Sequence, residues 1–117
     1  MTIPAPSFRC ELRRDYGAVV VVAVGELEEI SGVQLAAACL HAREVGGDVF
    51  LDLGGISFAD GTGIRMIETM DRAFDRSGHR LTIVNPSRCI WREVERLELD
   101  DVLRIEAEAP VPAAATA

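Results

Sequence analysis

Seven consecutive residues, Ala18 to Val24 (AVVVVAV), carry no charge, and five of them are valine. The run is too short for a helix and reads as a strand buried on both faces. A strand of that kind needs neighbours on each side and cover above and below. Two more short apolar runs supply the neighbours, Asp48 to Leu53 (DVFLDL) and Leu81 to Val84 (LTIV). Between the runs lie segments of helical character. Apolar residues recur at Val33, Ala36, Ala37 and Leu40, and the segment stops at Gly46-Gly47. They recur again at Ile64, Ile67, Met70 and Phe74, with Arg65, Glu68, Arg72 and Asp75 on the opposite side and Glu68 placed four residues before Arg72. A third stripe, Ile90, Val94 and Leu97, follows a cap at Ser87.

Phe8 to Asp15 alternates apolar and polar residues, as a half-buried edge strand does, and turns at Tyr16-Gly17. Leu103 to Ile105 is a candidate last edge strand. The order is therefore a hairpin followed by repeated strand–helix units. That pattern predicts an α/β single domain with a mixed, mostly parallel sheet of four to five strands and helices packed on its faces. Residues 1–7 read as a loose lead-in, 8–107 as the domain, and 108–117 as a disordered Pro/Ala tail. In open sheets of this type the site lies beyond the carboxyl ends of the strands. That rim carries Gly25 to Glu28, Gly54 to Gly63 and Asn85 to Ser87.

Charge narrows the function. The net charge is −7, and all twelve basic residues are arginine. Without lysine there is no Schiff-base chemistry, no phosphate-loop lysine and no kinase ATP lysine. An acidic chain lacks the footprint for nucleic acid or for an anionic membrane surface, and no run is long enough to span a bilayer. Cys10, Cys39 and Cys89 are odd in number and share no short spacing. With no signal peptide readable, they are expected to be reduced thiols in a cytoplasmic protein. His41 and His79 have no metal-ligand spacing, and no serine sits in a nucleophile elbow, so no metal and no catalytic residue is assigned. Asp52 reads as a hydrogen-bonding residue at a strand end. Trp91, at the start of the last main helix, reads as partly buried packing, or as an interface anchor if exposed.

The most distinctive segment is Leu51 to Ile64 (LDLGGISFADGTGI). It reads as a buried strand, a glycine-rich turn, an apolar anchor at Phe58, and a small polar cluster where a helix begins. The unpaired N–H groups of a helix start tolerate a phosphorylated hydroxyl. Taken alone, Asp60 or Thr62 would simply cap the helix.

In combination, the GEL-acidic segment at Gly25 to Glu28, D-x-x-LDL at Asp48 to Leu53, the F-x-D-x-T-G run at Phe58 to Gly63, LTIVNPS at Leu81 to Ser87 and L-x-L-D-D at Leu97 to Asp101 resemble the STAS family, of the anti-sigma factor antagonist type. The resemblance covers about residues 8–107. It implies a five-stranded mixed sheet with about four helices, and a non-enzymatic partner-switching role without a cofactor. The partner it implies is an anti-sigma factor that is also a serine/threonine kinase. The implied contact surface comprises Glu28, Asp60, Gly61, Thr62, Gly63, Ile64, Arg65 and Glu68. A STAS module of a transport or lipid-trafficking assembly, binding a protein or small ligand, is the alternative.

The sequence departs from that family at one place. The residue after Asp60, where the resemblance puts a phosphorylated Ser or Thr, is Gly61, which has no hydroxyl. Either Thr62 takes over as acceptor or the protein binds constitutively. The second is preferred on the expectation that Thr62, rotated by about 100° from position 61, points inward as a cap. Ser57 reads as structural. Glu26, beside Glu28, reads equally as solvated loop or as partner surface. Oligomeric state is left open.

Overall fold

A computed structural model describes residues 8–15 and 17–107. The lead-in 1–7, Tyr16 of the first turn and the tail 108–117 lie outside the described residues. The elements run β1 (Phe8–Asp15), β2 (Ala18–Leu27), α1 (Glu29–Gly46), β3 (Val49–Ala59), α2 (Gly61–Arg76), β4 (Leu81–Val84), α3 (Arg88–Arg96) and β5 (Arg104–Glu106). The expected class holds: one five-stranded sheet in the order β1-β2-β3-β4-β5, with β1 antiparallel and the other pairs parallel. The described residues form three helices, against the four or so that the resemblance implied.

Each crossover moves one strand in the same direction. Right-handed crossovers then put all three helices on one side of the sheet. One core cluster accordingly joins Val19, Val21, Ala23, Leu51 and Ile83 of the strands to Leu35, Cys39, Ile67, Phe74, Ile90 and Val94 of the helices. The expectation that Ala18 to Val24 is buried on both faces holds fully for one face and in part for the other, where Val20 is buried. Val19, Val21 and Ala23 are buried under the helices, whereas Val22 and Val24 on the other face are half-buried. In β1 the alternation works as expected: Phe8, Cys10 and Leu12 pack against the core, and Arg9, Glu11 and Arg13 are exposed. The Cys39 thiol is pushed up to about 12 by burial and then by neighbouring Cys10, which suits a packing residue.

Two expectations fail, in whole or in part, for identifiable reasons. Gly54-Gly55 is not a turn. β3 continues through it to Ala59, and β2 continues to Leu27, with register shifts between Val22 and Val24 and between Gly25 and Glu26. A Cβ on Gly55 would lie 2.9 Å from Val24 Cγ2, so the glycine lets two strands close up across a bulge. Phe58 then falls on an exposed strand position and is no anchor.

In α1 the stripe Val33, Ala36, Ala37 and Leu40 is only half right: Ala36 and Leu40 pack partly buried against the core, but they flank its centre. Leu35, Cys39 and Ala42, with Ser31 and Gly32, are buried, and Val33 and Ala37 are exposed. The helix is apolar on both sides, so periodicity alone could not choose between them. α2 matches its reading: Ile64, Ile67, Met70 and Phe74 are buried, and Glu68 bridges Arg65 at 3.0 Å and Arg72 at 2.9 Å. Arg43 of α1 crosses to α2, stacking 5.3 Å from the Phe74 ring centroid and donating to the Ala73 carbonyl at 3.2 Å.

Candidate functional site

The carboxyl ends of β2 and β3 hand the chain to two helices whose first turns sit side by side. The β2–α1 turn is fixed by Ser31, whose buried hydroxyl donates to the Glu26 carbonyl at 2.8 Å and accepts from the Glu28 N–H at 2.7 Å. The β3–α2 turn is tied to the first turn by the Asp60 N–H, which donates to the Leu27 carbonyl at 3.1 Å. Close approach of the two helix starts depends on glycine. A Cβ on Gly63 would stand 2.8 Å from both Leu27 O and Leu27 Cγ, and one on Gly32 would meet Met66 Cβ at 3.3 Å.

Asp60 is the N-cap of α2. One carboxylate oxygen accepts the Gly63 N–H at 2.9 Å and the Thr62 hydroxyl at 2.7 Å. Partial burial pushes its pKa up, but the hydrogen bonds from Gly63 and Thr62 outweigh this and hold the carboxyl below its ordinary range. Asp60 is therefore an anion at neutral pH. The cap role falls to Asp60, and Thr62 does not point inward: it is exposed, with its hydroxyl resting on the Asp60 carboxylate. The reason for preferring constitutive binding is thereby removed.

The remaining implied contact residues divide by exposure. Glu28, Arg65 and Thr62 are exposed, and Asp60, Gly61 and Glu68 are partly so. Gly63 and Ile64 are buried, Ile64 completely, because it opens the α2 core stripe. They support the loop from beneath and cannot face a partner. Ser57 donates to the Gly25 carbonyl at 3.3 Å, across the β2–β3 pair. Asp52 accepts the Gly54 N–H at 2.9 Å and the Asn85 side-chain amide at 3.2 Å, which is the hydrogen-bonding role expected.

A groove of about 560 Å³ runs past this helix start. It is lined by Asp60, Gly61 and Thr62 of the loop and helix start, by Arg65, Met66 and Thr69 along α2, and by Glu29 and Leu97 from the neighbouring segments. Met66, Thr69, Glu29 and Leu97 were missed by the sequence reading. The first two were legible as the helical continuation of Thr62 along one face. Leu97 reads in sequence only as part of an apolar stripe. Beside it, Arg96 is held by Glu93 through contacts of 2.7, 3.1 and 3.2 Å, and the Arg96 hydrogen bonds lower the Glu93 pKa against a small opposing effect of burial. The nearest atom to a Cβ built on Gly61 is Arg96 Nη2, at 3.1 Å. Gly61 is thus not demanded by the backbone packing: only the mobile end of one arginine would need to shift.

Among the described residues there is no group of His, Cys, Asp or Glu able to hold a metal, and no helix long and apolar enough to cross a membrane. His41 is exposed, and His79 lies 3.6 Å from Asp48, on other elements than the groove. Trp91 is exposed on α3, at 38%, so it is not the partly buried packing residue expected. The site is a shallow rim around a capped helix start, with the carboxylates Glu28, Glu29 and Asp60 on it.

A mixed sheet with a loop of this construction defines a STAS domain. The chain belongs to that family, whose model matches residues 9–109. Its fold is similar to that of the anti-sigma factor antagonist SpoIIAA in its unphosphorylated form, at 22% identity and TM-score 0.64, over 86% of this chain and 89% of that one. It is similar also to an anti-sigma factor antagonist from Mycobacterium paratuberculosis, at 17% identity and TM-score 0.74, over 97% and 96%. The same fold recurs in the murine anion transporter Solute Carrier 26 family member A9, at 16% identity and TM-score 0.64, over 86% of this chain but 17% of that one. No curated protein matches the chain by sequence.

Proposed function

We propose that this protein is an anti-sigma factor antagonist, a non-catalytic cytoplasmic binding module that docks the Asp60–Thr62 rim on a kinase-type anti-sigma factor. The observation that carries this reading is the exposed Thr62 hydroxyl at the capped start of α2, held 2.7 Å from Asp60 beside a position that lacks a hydroxyl. Binding would withhold the anti-sigma factor from its sigma factor. The chain needs no cofactor, and ATP belongs to the partner.

Thr62 is the acceptor in this reading. Its oxygen attacks the γ-phosphorus of the partner's ATP, the bond from that phosphorus to the β–γ bridging oxygen breaks and releases ADP, and the hydroxyl proton passes to solvent. The product puts about −2 charge beside Asp60 and Glu29, while the start of α2 tolerates an anion, so the loop keeps its fold and the partner is displaced by the size and desolvation cost of the phosphoryl group, not by a reversal of the rim's already acidic sign. The fold is shared with a transporter module, so fold alone does not select between a sigma-factor circuit and a transport assembly; the loop favours the first.

The test is a pull-down from the source cells with the full chain as bait, followed by incubation of the captured kinase-type anti-sigma factor with the chain and ATP. Intact mass is expected to rise by one phosphoryl group, and Thr62→Ala to abolish the rise. Thr62→Glu should weaken binding, and Thr62→Ala should retain it. Capture of no anti-sigma factor would overturn the reading. Binding without a mass change would make the protein a constitutive antagonist.

A further inference from the structure

We infer that the outward face of α1 is part of the partner-docking surface, with Ile30 and Val33 as its apolar anchors. Ile30 is 72% exposed and Val33 56%, the two most exposed large apolar side chains among the described residues. At about 100° per residue, Ile30, Val33 and Ala37 share one side of α1, roughly opposite the buried Leu35, Cys39 and Ala42. β-Branched residues are poor choices for solvent-facing helix positions, since they lose rotamer freedom there and gain no burial. The helix itself therefore gains nothing from them.

Their position adds the second observation. Ile30 and Thr62 line the same cleft of about 390 Å³, together with Glu28, Glu29 and Asp60. The stripe is thus continuous with the Asp60–Thr62 rim. The exposed charge beside the stripe is acidic, from Glu26, Glu28 and Glu29, and the cations bordering the rim, Arg65 and Arg96, are engaged by Glu68 at 3.0 Å and by Glu93 at 2.7 Å. An apolar centre inside an acidic rim fits a protein surface of the inverse kind, apolar side chains ringed by Lys and Arg. The occupant is the same anti-sigma factor that meets the loop, so the inference rests on the function proposed above.

The experiment is a titration of the captured kinase-type anti-sigma factor with the wild-type chain and with Ile30→Ser, Val33→Ser and Val45→Ser, each checked for an unchanged circular-dichroism spectrum and melt. Val45 is also apolar and exposed on α1 but lies at its far end. Ile30→Ser and Val33→Ser should each weaken binding about tenfold or more, as anchor truncations do, and Val45→Ser should stay within about twofold. Wild-type affinity in both anchor variants, alongside weakened Thr62→Glu, would overturn this inference and leave the proposed function standing. No binding by the wild-type chain would overturn both. Concentration-dependent self-association abolished by Ile30→Ser/Val33→Ser would assign the stripe to a second copy of the chain, against the inference.

Discussion

Two glycines two residues apart do opposite work. Gly63 sits where any side chain would collide with the Leu27 backbone, so Gly63→Ala forces the α1 and α2 starts apart. A loss of about 1–3 kcal/mol is expected in urea unfolding, the usual range for overpacking. Gly61 meets only Arg96 Nη2, so Gly61→Ser should fold with stability within about 0.5 kcal/mol of the parent. That variant also places a hydroxyl at the position where the family resemblance expects one. Intact mass after incubation with the partner and ATP is then expected to show a phosphoryl group on Gly61→Ser/Thr62→Ala, but none on Thr62→Ala. A large loss of stability in Gly61→Ser would mean that the glycine is structural after all.

At the scale of elements, α2 depends on its cap. Asp60→Ala removes the acceptor for Gly63 and Thr62 and should cost about 1 kcal/mol, read from thermal melts. The pH dependence has a definite sign. The carboxyl is held below its ordinary value, so its stabilisation is present above about pH 4, where the unfolded group is ionised, and is lost as pH falls through the lower folded pKa. The gap between Asp60→Ala and wild type should therefore close in strong acid.

The elements differed in how well the sequence announced them. α2 was legible because one face is apolar and the other charged, from Ile64 to Phe74 against Arg65 to Asp75. α1 was misread because its apolar residues occupy two faces, and only the tertiary contacts choose between Leu35 and Val33. β3 was cut short because Gly54-Gly55 has the local signature of a turn, while the pairing with β2 that makes it a bulge is set by residues about thirty positions away. In the site, Asp60 to Gly63 stood out as a motif. Glu29 and Leu97 did not, since they join the groove through packing of separate elements.

At the scale of the whole molecule, one buried carboxylate opposes stability. Asp71 of α2 is 5% exposed; one of its oxygens, Oδ1, accepts no hydrogen bond and has Arg104 of β5 at 3.9 Å. Burial first, then Asp75, raises its pKa against the pull of Arg104. A raised carboxyl contributes stability that is full below its unfolded value near pH 4 and lost as pH rises through the folded one. Asp71→Asn should thus melt several degrees higher than wild type at pH 7, with the gap shrinking towards pH 4. A gap that is negative or independent of pH would show that the Arg104 pairing outweighs desolvation.

The order β1-β2-β3-β4-β5 has a consequence for biosynthesis. Every strand pairs only with its neighbours in sequence, so a chain emerging from the ribosome can add each strand to a sheet edge already made. The groove, however, needs Glu29 from the first helix, Asp60 to Thr69 from the second, and Leu97 from just beyond the third. Its last wall arrives only when most of the chain has been translated. A nascent or truncated chain ending before Leu97 would carry β1 to β4 and the loop without a complete groove, so that competence to engage a partner would mark a finished molecule.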